Sequence, residues 1–172
     1  MENNPLNQNR NNPAERILGQ YWEERFLDII ISLGYSGDSE THGIKDDKII
    51  WGPNGEAIYI QIRHKDSYYD KELRHCYGYE RYRLDNDIKI IKEKQMIGLY
   101  VIHDYTHWGK DSRINREEDW YAADILTLAS SIDLEKDGPT WYGGVMNFKK
   151  ICYWQLPKFP PLKINLDSIM NS

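Results

Sequence analysis

Cysteine is scarce: Cys76 and Cys152 stand far apart in 172 residues, and no Cys-x-x-Cys pair occurs. That excludes the disulfide framework of a small secreted domain and supports no cysteine zinc site. Long apolar runs are missing too. None is longer than Leu99 to Ile102, far short of the ~20 residues a membrane-spanning helix needs. The N-terminus carries neither the basic nor the apolar block of a signal peptide, so the expectation is an intracellular, cytoplasmic protein with no membrane partner. Positive charge is in deficit. With 22 Lys and Arg against 27 Asp and Glu the net charge is -5, which argues against a domain that merely coats nucleic acid.

What remains is a chain long enough for one domain with an ordinary core, wet in composition (mean hydropathy -0.74) and rich in rings, with 13 Tyr and 6 Trp. Such rings serve core packing first and base stacking second. Charge is uneven. Glu117 to Asp137 holds seven acids and one Lys, whereas Gln61 to Lys94 carries nine Lys and Arg against seven acids, so a local basic face is compatible with the acidic total.

The Asn-rich segment 1–13 has nothing to bury and reads as a disordered leader. From Ala14 to Leu33 the residues Leu18, Trp22, Phe26, Ile29, Ile30 and Leu33 recur at three and four, the helical period, and Gly34 stands where a C-cap glycine belongs. Lys48 to Trp51 and Ala57 to Lys65, joined through Gly52-Pro53-Asn54-Gly55, read as a β-hairpin. Tyr69 to Lys94 reads as helix, interrupted near Asp85-Asn86, with Leu73, Tyr77, Leu84, Ile88 and Ile91 as its inner stripe. A strand over Met96 to His103, a polar loop to Asp119, an amphipathic helix over Trp120 to Ile132, a glycine-rich loop at Gly138 to Gly144 and a last strand within Val145 to Leu156 follow. Pro157, Pro160 and Pro161 then argue against regular structure in the tail, 157–172. The order of elements implies a mixed α/β or α+β domain over 14–156, with a central sheet flanked by helices.

The second hairpin strand is the most informative piece. Side chains alternate faces along a strand, so Ile58, Ile60 and Ile62 point one way while Tyr59, Gln61, Arg63 and Lys65 point the other. Glu23 and Glu24 on the first helix and Asp46 and Asp47 before the hairpin are carboxylates that could join Gln61 in a hard, oxygen-rich site for Mg²⁺. Arg63 or Lys65 would then stabilise charge on a phosphate.

These pieces resemble the PD-(D/E)XK nuclease superfamily of restriction enzymes, archaeal Holliday-junction resolvases and some homing endonucleases. The resemblance runs over roughly 14–103. It rests on Gly19-x-x-x-Glu23, Leu33-Gly34-Tyr35, Gly43-Ile44-Lys45-Asp46-Asp47, the Gly55 turn and Tyr59-Ile60-Gln61-Ile62-Arg63. It implies a restriction endonuclease-like fold and Mg²⁺ or Mn²⁺ held by Glu23, by Asp47 or Asp46, and by Gln61. DNA is the implied partner, with catalytic roles for Glu23, Asp47, Gln61, Arg63 and Lys65. Gln61 and Arg63 stand where the family carries Glu and Lys. Gln keeps a carbonyl oxygen and loses a charge, whereas a guanidinium stays protonated and cannot act as a base.

Arg74, Arg81 and Arg83, interleaved with Tyr77, Tyr79 and Tyr82, are candidate contacts to a DNA backbone. His103 and His107, with His64 or His75, lack a His-Glu-x-x-His pattern and are better read as surface residues than as a zinc site. Two further readings compete with the enzyme. One is a degenerate nuclease-fold subunit that binds DNA or protein, alone or as a homo-oligomer; the other is an acidic adaptor marked by Glu117-Glu118-Asp119.

Overall fold

The helical spacing of Phe26 and Ile30 produces helix α1 over 24–32 in a computed structural model that describes residues 24–37, 48–65, 68–104, 117–142 and 145–171. Both side chains are fully buried. Gly34 takes φ 89°, and Tyr35 N–H donates to Ile30 O at 2.9 Å, which closes the helix as the glycine cap requires. The part of the expected helix before Glu24 lies outside the described residues.

Strand β1 (Ser36–Gly37) pairs with β2 (Lys48–Trp51), which pairs in turn with β3 (Ala57–Lys65). The hairpin turn is as expected, with Gly55 at φ 84° and its N–H on Gly52 O at 3.0 Å.

The long helix over Tyr69 to Lys94 is corrected in its first half, which forms β4 (Tyr68–Asp70) and β5 (Arg74–Glu80). Asp70 accepts the backbone N–H groups of Glu72 (2.8 Å) and Leu73 (3.2 Å) to make a turn. Arg74 at φ 66° then breaks any helical path. Tyr77 and Tyr79, two apart and both buried, follow the strand period, so Tyr77 does not belong to a helical stripe with Leu84 and Ile91. Helix α2 (Arg81–Lys94) runs unbroken through Asp85 and Asn86, both of which face water.

Strand β6 (Ile97–Asp104) matches expectation almost to the residue. The expected helix at Trp120 is instead β7 (Trp120–Asp124), followed by the short α3 (Ile125–Ser130). Trp120 and Ala122 alternate into one core, and Asp124 caps α3 through Thr127 N–H at 2.8 Å. The glycine-rich loop is also corrected. Gly138 to Tyr142 belong to β8 (Leu134–Tyr142), paired along its length with β9 (Val145–Gln155). The tail is not irregular throughout: after Pro161, α4 (Leu162–Met170) buries Leu162 and Leu166 in the core. Proline is tolerated immediately before a helix because the missing N–H has no helical partner there.

Two sheets result. The first has order β1-β2-β3-β6-β7, with β3 and β6 parallel and the other pairs antiparallel; the second is antiparallel with order β4-β5-β9-β8. One face of the first sheet packs Ile58, Ile60, Leu99 and Val101 on Phe26 and Ile30 of α1 and Leu162 and Leu166 of α4. The other face packs Tyr59, Tyr100 and Ile102 against α2, α3 and the second sheet, through Leu84, Ile91, Tyr77, Tyr79 and Trp154. The mixed α+β class, with a central sheet flanked by helices, is the one expected.

Candidate active site

Strand β3 is the central strand of the first sheet, so polar side chains on it require partners. Gln61 and Arg63 share the face with Tyr59, are half-buried, and have them. Gln61 Nε2 donates to Tyr59 Oη at 2.6 Å and lies 3.4 Å from Asp87 Oδ1. Tyr59 Oη donates to Asp87 Oδ1 at 2.7 Å, and Tyr79 Oη donates to Asp87 Oδ2 at 2.5 Å. The Arg63 guanidinium carbon stands 5.5 Å from the Tyr79 ring centroid, while Nη1 donates to Ile62 O at 3.0 Å. One buried carboxylate, 2% exposed, thus orients both side chains, Gln61 through Tyr59 and Arg63 through Tyr79.

Asp87 reaches this position because Leu84, Asp87 and Ile91 form the buried stripe of α2. Sequence reading missed it. The available signal was an acid at i+3 from Leu84 and i−4 from Ile91, in the middle of an apolar stripe.

A second buried carboxylate, Asp104, ends β6 on the same sheet face and accepts a hydrogen bond from Tyr77 Oη. Parallel register places it beside Lys65, and Ile102 beside Arg63. Burial pushes the Tyr77, Tyr79 and Tyr100 hydroxyls well above the ordinary tyrosine range. Asp104 adds to the effect at Tyr77 and Asp87 at Tyr79, where Arg63 opposes it. All three therefore remain donors. His103 faces the opposite core, its ring 4.7 Å from that of Trp120, and is not a surface residue.

The remaining candidates divide. Glu23, Asp46, Asp47 and His107 lie outside the described residues, as do the side chains of His64 and Lys65. Glu24 is exposed on α1. Arg74 opens β5 and Arg81 follows its far end, about 23 Å away along an extended strand. Arg74 therefore lies on a strand rather than on the helix expected to carry all three arginines, and only Arg81 and Arg83 are helical. Arg81 is tied to Asp85 and Glu135, both at 3.1 Å, and Arg83 lies 3.8 Å from Glu80.

Among the described residues, no group of three His, Cys, Asp or Glu side chains gathers as a cation site. Gln61 fits the role of one hard, neutral ligand. Its amide nitrogen is turned onto Tyr59, and a planar amide then directs its oxygen the other way.

With this geometry in view, comparison with solved structures finds a likeness to Hjc, a Holliday junction resolvase from the archaeal hyperthermophile Archaeoglobus fulgidus. The match covers 87% of this chain and 95% of that one, with a TM-score of 0.53 and 8% sequence identity. The two chains share a fold. No family model matches this sequence, and no curated protein does either. Among the described residues no helix is long and apolar enough to cross a membrane.

Proposed function

We propose that this chain is a metal-dependent DNA endonuclease built on a variant PD-(D/E)XK site. The observation that carries the reading is the likeness to a resolvase over nearly the whole of that chain. It is supported by the central position of β3 and by the network that orients Gln61 and Arg63 on one face of it.

In this reading Glu23, Asp47 (with Asp46 as its neighbour in register) and Gln61 hold Mg²⁺ or Mn²⁺. When bound, the ion supplies Lewis-acid activation of the phosphate and of the attacking water. Arg63, held against Tyr79, sets a permanent positive charge where the phosphate oxygens gain negative charge. Because a guanidinium does not give up its proton, proton removal from water falls to Lys65 or to solvent. DNA is the substrate and no membrane is involved. Two subunits would supply the two cuts a symmetric junction needs.

The second reading is a nuclease-fold subunit that binds DNA or protein without cutting. It is favoured by the neutral Gln61 and by Arg63, whose permanently protonated guanidinium cannot take a proton from water. The deciding experiment is cleavage of linear, nicked, supercoiled and four-way-junction DNA with Mg²⁺ or Mn²⁺, comparing wild type with Glu23→Ala and Asp47→Ala. Metal-dependent cutting lost in both variants upholds the enzyme. DNA binding without cutting upholds the second reading, and neither binding nor cutting refutes both nucleic-acid readings.

A further inference from the structure

Gln61, Tyr59 and Asp87 form a chain of hydrogen bonds whose direction is set at its buried end. Asp87 is 2% exposed and accepts from Tyr59 Oη at 2.7 Å and from Tyr79 Oη at 2.5 Å. A hydroxyl has one proton to give. Tyr59 gives its proton to the carboxylate, so the group 2.6 Å from its oxygen must itself be a donor, and at position 61 that donor is the amide Nε2. The carboxylate at 87 thereby decides which way the amide at 61 lies, with Nε2 inward and the carbonyl oxygen turned from Tyr59.

The same proton count disfavours a carboxylate at 61 while Asp87 is present. A Glu there would meet the Tyr59 oxygen with no proton left to share, and its own oxygen would stand where the amide nitrogen now lies, 3.4 Å from Asp87 Oδ1. Two like charges so close in a half-buried layer repel strongly. An Asn at 87, by contrast, offers one acceptor and one donor where Asp offers two acceptors. Its oxygen can keep the Tyr79 proton while its nitrogen donates to Tyr59, whose own proton is then directed at residue 61. A Gln at 61 must turn its oxygen inward to accept that proton, whereas a Glu accepts it as it stands.

We propose that residues 61 and 87 share a single negative charge, and that Asp87, by carrying it, is the positioning residue that holds the Gln61 carbonyl oxygen toward the metal. The inference rests on the nuclease reading for its metal, and it makes the amide at 61 a requirement of Asp87 rather than a loss of function.

The test uses the full chain as wild type, Q61E, D87N and Q61E/D87N. Stability is measured by urea unfolding in metal-free buffer at neutral pH, and Mn²⁺ affinity by calorimetry. Each single change should lower the folding equilibrium constant about tenfold, because it leaves a buried group without its partner. The double variant should be about tenfold more stable than the two single effects predict, because it restores one charge and an unbroken run of donors and acceptors. Arg63 stands in all four chains with its guanidinium held at Tyr79 and Ile62 O, so its attraction for a carboxylate at 61 enters Q61E and the double variant alike. D87N should bind Mn²⁺ about tenfold more weakly than wild type, the loss expected when the partner that orients a ligand is removed. Q61E/D87N should bind Mn²⁺ at least as tightly as wild type. A role in packing alone would not let an exchange of charge between two positions restore both stability and metal affinity.

Single effects that combine in the double variant to within about twofold of their product refute the shared charge and leave the nuclease reading standing. Coupled stabilities with equal Mn²⁺ affinity in wild type and D87N refute the positioning of the amide. If D87N does not fold, folding of Q61E/D87N upholds the exchange and its failure to fold refutes it. If wild type binds no Mn²⁺, the metal reading and the positioning role fall together, and the urea measurements alone decide the shared charge.

Discussion

Replacing the two tyrosines that hold Asp87 tests the network at the centre of the candidate site. Tyr59→Phe and Tyr79→Phe each keep the ring and remove one hydroxyl, at 2.7 Å and 2.5 Å from a carboxylate that is 2% exposed. A hydrogen bond to a buried charged group contributes about 1.5–3 kcal/mol, so each single change should lower stability by that much. The double change strips both hydroxyls from one carboxylate and should exceed the sum of the singles by about 1 kcal/mol, because the two share a partner. Urea unfolding at neutral pH, followed by circular dichroism, measures all three. Function separates the two singles. Tyr59→Phe also deprives Gln61 Nε2 of its 2.6 Å acceptor, whereas Tyr79→Phe leaves that bond and the ring beside Arg63 in place. Cleavage should therefore fall on the order of tenfold further in Tyr59→Phe, at a temperature where both are folded. Single variants within about 0.5 kcal/mol of wild type, or equal losses of cleavage, would refute the reasoning.

Alkaline stability should fall steeply, because Tyr77, Tyr79 and Tyr100 are held un-ionised in the fold by burial while their unfolded counterparts ionise near 10.0. Above that pH the folded state binds more protons, so stability drops by about 1.4 kcal/mol per pH unit for each of the three. Phenolate absorbance should appear together with unfolding rather than before it. The Asp70 carboxyl is pushed down to about 2, first by its hydrogen bond from Lys136 and then by the N–H groups of Glu72 and Leu73. Lys136→Met should move its NMR titration midpoint back toward 3.8. The stability from this pair is present above 3.8 and is lost as the pH falls toward 2. Leu166→Ala should cost about 2–5 kcal/mol in urea unfolding if α4 is part of the core, and next to nothing if the tail is loosely attached.

The sequence alone determined what depends on neighbours along the chain. The three-and-four spacing of Phe26 and Ile30 with Gly34 behind them, the Gly52 to Gly55 turn, the alternation that sets Tyr59, Gln61 and Arg63 on one face of β3, and the apolar run of β6 are all local patterns, and each is present in the fold. Tertiary structure decided the segments whose local pattern suits two states. Leu73 and Tyr77 fit a helical stripe, but Tyr77 and Tyr79 lie on a strand because β9 offers its edge to β5. Trp120 to Asp124 became a strand because β6 needed an antiparallel neighbour. Leu162 to Met170 became a helix because the core beside Phe26 and Trp120 had apolar surface to cover. The same division holds at the site. Gln61 and Arg63 were legible as a pair on one strand, whereas Asp87 joins them from α2 across the packed layer between sheet and helix, and no spacing within the chain records that contact. Burial and hydrogen bonding between residues distant in sequence exist only after the layers close, so the carboxylate that orients the candidate site is a property of the folded chain.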